Sequence, residues 1–390
     1  MTSSRNPSRD LVAFAGAAST GFRAQNTEQS QVELALRACI AVLEQCGLQA
    51  SDIDGICGTS APEARRIQSG LGIDELTWFA NPVMPMVNPV AAAVGAVAAG
   101  LCDVVLCYHA AYRLPWNTAS SLKDPYRATG QATGASGPQP ETMAGAVGYA
   151  GWASRYIYEF NAPREHFGYV ALNSRHNAID NPLAAMREPM TMDDYLAARM
   201  IRSPLCLLDM DVPVDGADAF VITTTERARD LPNRPVLVNA VSLGMADKNE
   251  EDQSRSLERN GQHVVIESLK AKGDFWIDDI DLYFPYDGFT IITLNWIENA
   301  GFCGRGEAGV FLAENRDYES GQIMINGRVP VNSHGGALSE GGTQGSGHIR
   351  EAILQLQGLA GDRQVRGPER ALVTAGGFFM NAQGLLLRIE

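Results

Sequence analysis

The chain has 390 residues, 45% of them hydrophobic, with 39 glycines and 19 prolines, a composition of folded globular proteins that excludes disordered and fibrous classes. That length exceeds one average domain and favours a pair of similar domains or one large α/β unit. The formal net charge of −14, with no Lys/Arg block, excludes nucleic-acid binding and leaves any anionic ligand dependent on local positive charge.

In chain order, Leu11–Gly16 reads as a buried strand. A helix from Glu28 to about Cys46 carries Val32, Leu34, Ala35, Ala38, Cys39, Val42 and Leu43 at helical spacing. Ile53–Gly58 is a second strand, Val90–Ala99 an Ala/Gly-rich helix expected to be buried, and Asp103–Cys107 a continuous apolar strand. From about 111 to 206 the rhythm breaks. This stretch holds a Gly/Ser/Thr/Pro-rich run (Thr129–Pro140), an aromatic helix (Tyr149, Trp152, Tyr156, Tyr158, Phe160) and a helix over Arg164–Asn177. It reads as an insertion or lid between two core strands. Val212–Thr225 returns to strand.

The second half repeats the theme: strand Pro235–Leu243, helix Val264 to about Ala271, strand Ile280–Phe284, helix Phe289–Ala300, helix His348–Leu359, then a hairpin of Ala371–Ala375 with Leu385–Ile389. Two successive strand–helix series predict a duplicated α/β unit with layered sheets and helices, residues 1–230 and 231–390.

Seven scattered cysteines form no C-x-x-C pair, and most lie in apolar runs, as small buried hydrophobes do. The opening residues are polar, with no apolar signal core. The apolar run Ala91–Leu101 is too short to span a bilayer. A reducing, cytoplasmic compartment without membrane insertion is expected.

Val331–Gly347 is a glycine-dense turn ahead of an amphipathic helix starting near His348. So many glycines are needed where φ is positive or where a ligand lies against main-chain atoms. The segment closely resembles the Asn-x-x-Gly-Gly-x-x-Ser-x-Gly-His-Pro-x-Gly-x-x-Gly loop of the thiolase superfamily. Asp103-Val-Val-Leu, Asp215-Gly-Ala-Asp-Ala219 and Tyr286-Asp-Gly-Phe289 follow in the same order. Met190–Arg199, Asp211–Ala217 and Gly301–Glu307 are most like the sterol-carrier-protein-X-type thiolases and their lipid-transfer-protein relatives. The resemblance implies the thiolase fold, a duplicated αβαβα layered core.

The catalytic residues of a thiolase do not carry over. The nucleophilic cysteine, which forms the acyl-enzyme because a thiolate attacks thioesters readily, falls near Val83. The second cysteine falls at Thr374-Ala375, and the histidine at Gly342, where Gly-His-Pro reads Gly341-Gly342-Thr343. Thiolysis is therefore rejected. The first position of the Asn-Glu-Ala-Phe motif, an oxyanion-hole residue, is Tyr286. Its Tyr-Asp-x-Phe context resembles the steroid side-chain aldolases, which cleave β-hydroxyacyl-CoA by retro-aldol chemistry with no covalent intermediate.

The resemblance thus implies a CoA-thioester retro-aldolase. Tyr286 would donate to the oxyanion, or move a proton if its pKa were lowered. Many relatives place a tyrosine at the histidine position, so Gly342 leaves the second proton-transfer group open: His334 foremost, then Tyr283 and His348. Ser339, Gly341 and Gly342 would form the CoA-binding loop. Asp287 is expected to cap the following helix, and Asn81–Pro89 to fill the space of the missing cysteine. No cofactor is expected. The resemblance further implies a homodimer and a small zinc-ribbon/OB-fold partner that would carry any zinc. The alternative is a non-catalytic thiolase-fold subunit that binds acyl-CoA or scaffolds a complex.

Overall fold

The computed structural model describes residues 4–24, 28–59, 61–113, 146–246, 256–378 and 381–390. The expected Thr129–Pro140 run lies outside them. The N-terminal half contains β1 (Val12–Ser19), α1 (Gln31–Cys46), β2 (Gly55–Gly58), α2 (Ala64–Leu71), β3 (Trp78–Ala80), α3 (Val87–Ala98) and β4 (Val104–Tyr112). Then come α4 (Ala146–Phe160), α5 (Glu165–Ala178), α6 (Met192–Ala197), the small pair β5 (Met200–Arg202) and β6 (Leu205–Cys206), β7 (Asp215–Thr224) and α7 (Thr225–Ala228). The C-terminal half has β8 (Val236–Gly244), α8 (Gly261–Lys272), β9 (Leu282–Phe284), α9 (Thr290–Ala300), α10 (Ala308–Glu314), the pair β10 (Met324–Ile325) and β11 (Val329–Pro330), α11 (Ser346–Gln357), β12 (Arg370–Ala375) and β13 (Ala382–Arg388).

Local chemistry accounts for these elements. Ser30 caps α1 by accepting the Glu33 N–H, and Gly47 ends it in the left-handed region at φ 66°. Between the caps, Leu34, Ala35, Ala38, Cys39, Val42, Leu43 and Cys46 form the buried stripe. α3 begins one turn before the expected Val90, and Pro89 sits in its first turn, where no amide donor is missed. β4 and β7 are buried over nearly their whole lengths and pair antiparallel from Val104↔Thr223 to Tyr112↔Asp215.

The main sheet has nine strands in the order β3-β2-β4-β7-β1-β8-β13-β12-β9. Read outward from the β1–β8 junction, the halves mirror each other. β1–β7 and β8–β13 are antiparallel, β7–β4 and β13–β12 antiparallel, and β4–β2 and β12–β9 parallel. The duplication expected from pattern alone is therefore present in strand order and direction. α1 and α2 cover one face of the first half, and α8 and α9 pack on the corresponding face of the second. α3 and α11 share a central apolar layer with inward residues from both halves, including Val105, Phe220, Val238, Phe284 and Leu385.

The small side chains of α3 permit this close central packing. Ala93 is fully buried, whereas Gly95 faces outward, and a methyl added there would meet nothing within 4 Å. Gly95→Ala is therefore expected to raise unfolding free energy by about 1 kcal/mol through reduced chain entropy and better helix propensity. Urea denaturation measures it, and a neutral or destabilising result contradicts the placement.

Candidate active site

β9 ends at Phe284, and the turn Pro285-Tyr286-Asp287-Gly288 carries the chain into α9. The glycine loop is laid beside that turn by a parallel bridge between Tyr283 and Val331 and by the Asn332 N–H donating to the Tyr283 carbonyl at 3.0 Å. Asn332, Gly335, Gly336, Gly341, Gln344 and Gly345 all have positive φ, as the glycine density predicts. Gly336–Glu340 forms a π-helical turn, and α11 starts at Ser346 rather than near His348.

A second clamp comes from α5 and the turn that follows it. Asn173 and Asn177 each donate to the Val331 carbonyl at 2.9 Å, and Asn181 donates to the His334 carbonyl and to Glu340 Oε1, both at 2.7 Å. Although this helix lies in the stretch expected as an insertion or lid, ten of its residues are buried. It is scaffold rather than cover, because its amide stripe satisfies loop carbonyls that burial would otherwise leave unpaired.

Asp287 does not cap α9, whose N-cap residue Phe289 has no side-chain cap bond. Its fully buried carboxylate instead accepts hydrogen bonds from Ser174 Oγ (2.7 Å), Ala337 N (2.7 Å) and Leu338 N (3.3 Å), and meets His348 Nε2 at 3.0 Å. Gly336 is required beside it: φ is +57°, and a Cβ would land on Asp287 Oδ2.

Tyr286 is 5% exposed. Its ring lies against Gly288, where a Cβ would stand 2.9 Å from the hydroxyl. Burial raises its pKa, the Asp211 carboxylate adds to the rise, and Arg113 opposes it. Of the two roles open to Tyr286, this shift favours the neutral phenol, able to donate a hydrogen bond, over proton transfer through a phenolate.

Behind it runs a row of buried rings, Tyr286 to His348 at 5.6 Å between centroids and His348 to His334 at 4.7 Å. His334 has no exposed surface, and neither ring nitrogen finds a hydrogen-bond partner among the described residues. Burial holds its pKa well below the usual value, helped by His348, Arg350 and Arg363. The foremost expected second acid–base group is therefore a weak base in an inner row, behind His348. His348 is equally buried and is held by Asp287. Tyr283 is not in the row: it is fully buried and packs on Phe302 at 5.0 Å. Ser339 is also buried, its Oγ accepting from Arg175 Nε at 3.2 Å, and Gly341 packs over Val214.

The surroundings of Gly342 are what sequence reading missed. A Cβ there would fall inside Arg113 Nη1 and Asp211 Oδ2, which form an ion pair at 2.6 Å. The pair fills the space into which a side chain at 342 would project. The Gly342 N–H donates to the Val212 carbonyl at 2.8 Å and Asp211 N donates to the Gly288 carbonyl at 3.0 Å, so the pair, the loop and the Tyr286 turn are fastened together. Arg113 and Asp211 lie 98 residues apart, and no spacing rule links them.

No thiol stands in for the missing nucleophile. Val83 and Met84 turn outward, and Met86 is the buried residue at the start of α3, its N–H donating to the Gln344 carbonyl at 2.9 Å. Asn81–Pro89 therefore fills inner space only from Pro85 onward. Thr374 and Ala375 are buried in β12. Six of the seven cysteines are buried, and burial pushes even the less covered Cys303 up to about 12.

The geometry is matched by known proteins. Residues 266–388 match the family described as Thiolase C-terminal domain-like. A steroid side-chain-cleaving aldolase of Thermomonospora curvata is 33% identical over 391 aligned positions, covering 94% of this chain and 95% of that protein. The chain belongs to the thiolase superfamily. Its place there is the thiolase-like branch similar to steroid side-chain aldolases, without the nucleophilic cysteine. A 17-hydroxy-3-oxo-4-pregnene-20-carboxyl-CoA lyase of Mycobacterium tuberculosis is also 33% identical, over 94% of this chain and 96% of its own. Among solved structures, an Ltp2-ChsH2(DUF35) aldolase superposes with a TM-score of 0.85 at 31% identity, covering 98% of this chain and 99% of that one. Among the described residues no helix is long and apolar enough to cross a membrane.

At the inner end of the row, Glu340 is buried between Arg350, which also pairs with Asp218 at 2.6 Å, and His334 at 3.9 Å. Burial raises its carboxyl from 4.5 to about 7 although Arg350 opposes the rise. Folding therefore favours protonated Glu340: its contribution is complete below pH 4.5 and is lost as pH rises through 7. Relative to Glu340→Gln, wild-type stability should fall by up to about 3 kcal/mol between pH 5 and 8. Paired denaturation curves measure this, and a pH-independent difference contradicts it.

Proposed function

We propose that the chain is a carbon–carbon lyase, a retro-aldolase that cleaves a β-hydroxyacyl-CoA into a short acyl-CoA and a ketone or aldehyde. The observation that carries this reading is Tyr286: a neutral phenol held on the thiolase loop scaffold, with no usable thiol at either cysteine position. Retro-aldol cleavage needs a donor for the thioester enolate and a base for the β-hydroxyl, but no covalent acyl-enzyme. A preorganised donor in a water-poor site is worth about 3–4 kcal/mol of barrier. The names of the two aligned relatives, an aldolase and a CoA lyase, support the same reaction class.

A bulky, steroid-type acyl group is supported by those names and by the aromatic surroundings. Tyr149 stacks on Phe289 at 4.4 Å, beside the Tyr286 turn, and meets Phe378 at 5.6 Å. Two further proposals concern assembly. One is a small partner subunit of the DUF35 kind, the zinc-ribbon/OB-fold type, which would carry any zinc; the similar aldolase whose name pairs Ltp2 with ChsH2(DUF35) supports it. The other is a homodimer, supported by edge strand β3, whose Phe79 is 69% exposed. We place the reaction in the cytoplasm and assign the chain no cofactor of its own.

The test is product analysis on a bulky β-hydroxyacyl-CoA, with and without the partner. Wild type is expected to release short acyl-CoA and the carbonyl fragment in equal amounts, and Tyr286→Phe to lose ~100-fold or more in kcat. Turnover unaffected by Tyr286→Phe removes the proposed role of the phenol. No turnover in any combination leaves the rival reading, a thiolase-fold subunit that binds acyl-CoA without catalysis.

A further inference from the structure

The retro-aldol reading leaves the base unassigned. His334 and His348 are fully buried, Tyr286 is a donor, and Gly342 has no side chain. The two charged groups packed over Gly342 are different. Arg113 and Asp211 keep 36% and 13% of their side-chain surface exposed, so they stand on the side of the site that solvent, and hence a substrate, can reach.

We propose that the Arg113–Asp211 pair replaces the missing side chain of the glycine loop, with Asp211 as the base for the β-hydroxyl and Arg113 as its positioning partner. Three observations carry this. The pair occupies the space in front of Gly342 so closely that a single methyl there would overlap both groups. The backbone of Asp211 is fastened to Gly288, the residue against which Tyr286 packs, so base and enolate donor share one rigid frame. Arg113 takes only Asp211 Oδ2, at 2.6 Å, leaving Oδ1 without a partner among the described residues. The field of the pair also reaches the phenol, since both charges act on Tyr286.

The step balances within the substrate. Asp211 takes the β-hydroxyl proton, the O–H electron pair becomes the new carbonyl bond, and the Cα–Cβ bond breaks. Its electrons pass to the thioester enolate, whose oxygen accepts a hydrogen bond from Tyr286. The proton held by Asp211 then returns to Cα, giving the short acyl-CoA with no added water, CoA or oxidant. Arg113 holds Oδ2 at 2.6 Å and so fixes the orientation of the carboxylate, with Oδ1 left for the β-hydroxyl.

The proposal rests on the retro-aldol reading, and the experiment separates the two. Wild type, Tyr286→Phe, Asp211→Asn and Gly342→Ala are assayed with the partner on the same β-hydroxyacyl-CoA. Binding is read by calorimetry with the analogue that lacks the β-hydroxyl and cannot be cleaved. Asp211→Asn is expected to lower kcat by ~100-fold or more, the range of general-base catalysis, with analogue binding within about threefold of wild type. Gly342→Ala, which pushes the pair aside, is expected to lower kcat at least about tenfold without changing the melting temperature. If wild type cleaves and Tyr286→Phe does not, but Asp211→Asn and Gly342→Ala both keep wild-type kcat, this assignment is overturned while the retro-aldol reading stands. A loss of analogue binding equal to the loss of rate in Asp211→Asn also overturns it. Absence of wild-type cleavage removes the reading itself.

Discussion

The carboxylate of Asp287 is the interaction on which the site depends. It is fully buried, and it joins four separate pieces of chain: the Tyr286 turn that carries it, Ser174 on α5, the Ala337 and Leu338 amides of the glycine loop, and His348 on α11. A buried charge is tolerated only when its acceptor capacity is filled, and here the partners that fill it also fix the loop against Tyr286. Charge-assisted bonds to a carboxylate are stronger than neutral ones. Losing any one partner would leave part of the charge unsatisfied and loosen the frame. The position of the phenol thus follows from an electrostatic need of its neighbour.

On that frame the chemistry has changed by exchange of side chains while the backbone cradle stays. Apolar and small residues stand where thiols would be, and the remaining cysteines are packed as hydrophobes whose thiolate form burial disfavours. A phenol kept protonated by burial can donate to developing negative charge but cannot attack a thioester. Gly342 removes the loop's own polar side chain and makes room for an ion pair from two other segments. The absence of a nucleophile and the presence of a donor point the same way, toward bond cleavage through an enolate.

Much of the fold was legible in the sequence because its core elements are strongly periodic. α1, β4, β7, α9 and the closing β12–β13 hairpin lie within a few residues of their expected places, and the mirrored strand order follows from their repetition. The short elements α2, β3 and α10 carry too few residues to show a period. Tyr286 was found through its motif. Its neighbours were not, because their meaning depends on contacts far apart in the chain. Asp287 looked like a cap and is a hub. Asn173, Asn177 and Asn181 make a polar stripe at helical spacing, which reads as a solvent face but faces loop carbonyls. That stripe, ending just before the Leu183-Ala-Ala segment, was the one available hint that α5 serves the loop. Arg113 and Asp211 left no sequence signal, since only the fold brings them over Gly342.

The central claim is that this scaffold breaks a carbon–carbon bond through an enolate without acylating the protein. Cleavage of a β-hydroxyacyl-CoA in deuterium oxide, with no added CoA and with mass analysis of both products and protein, tests it most directly. The account predicts a short acyl-CoA carrying one solvent deuteron at Cα, an equal amount of carbonyl fragment and an unmodified chain. A requirement for added CoA, or a chain heavier by the acyl group, would contradict it.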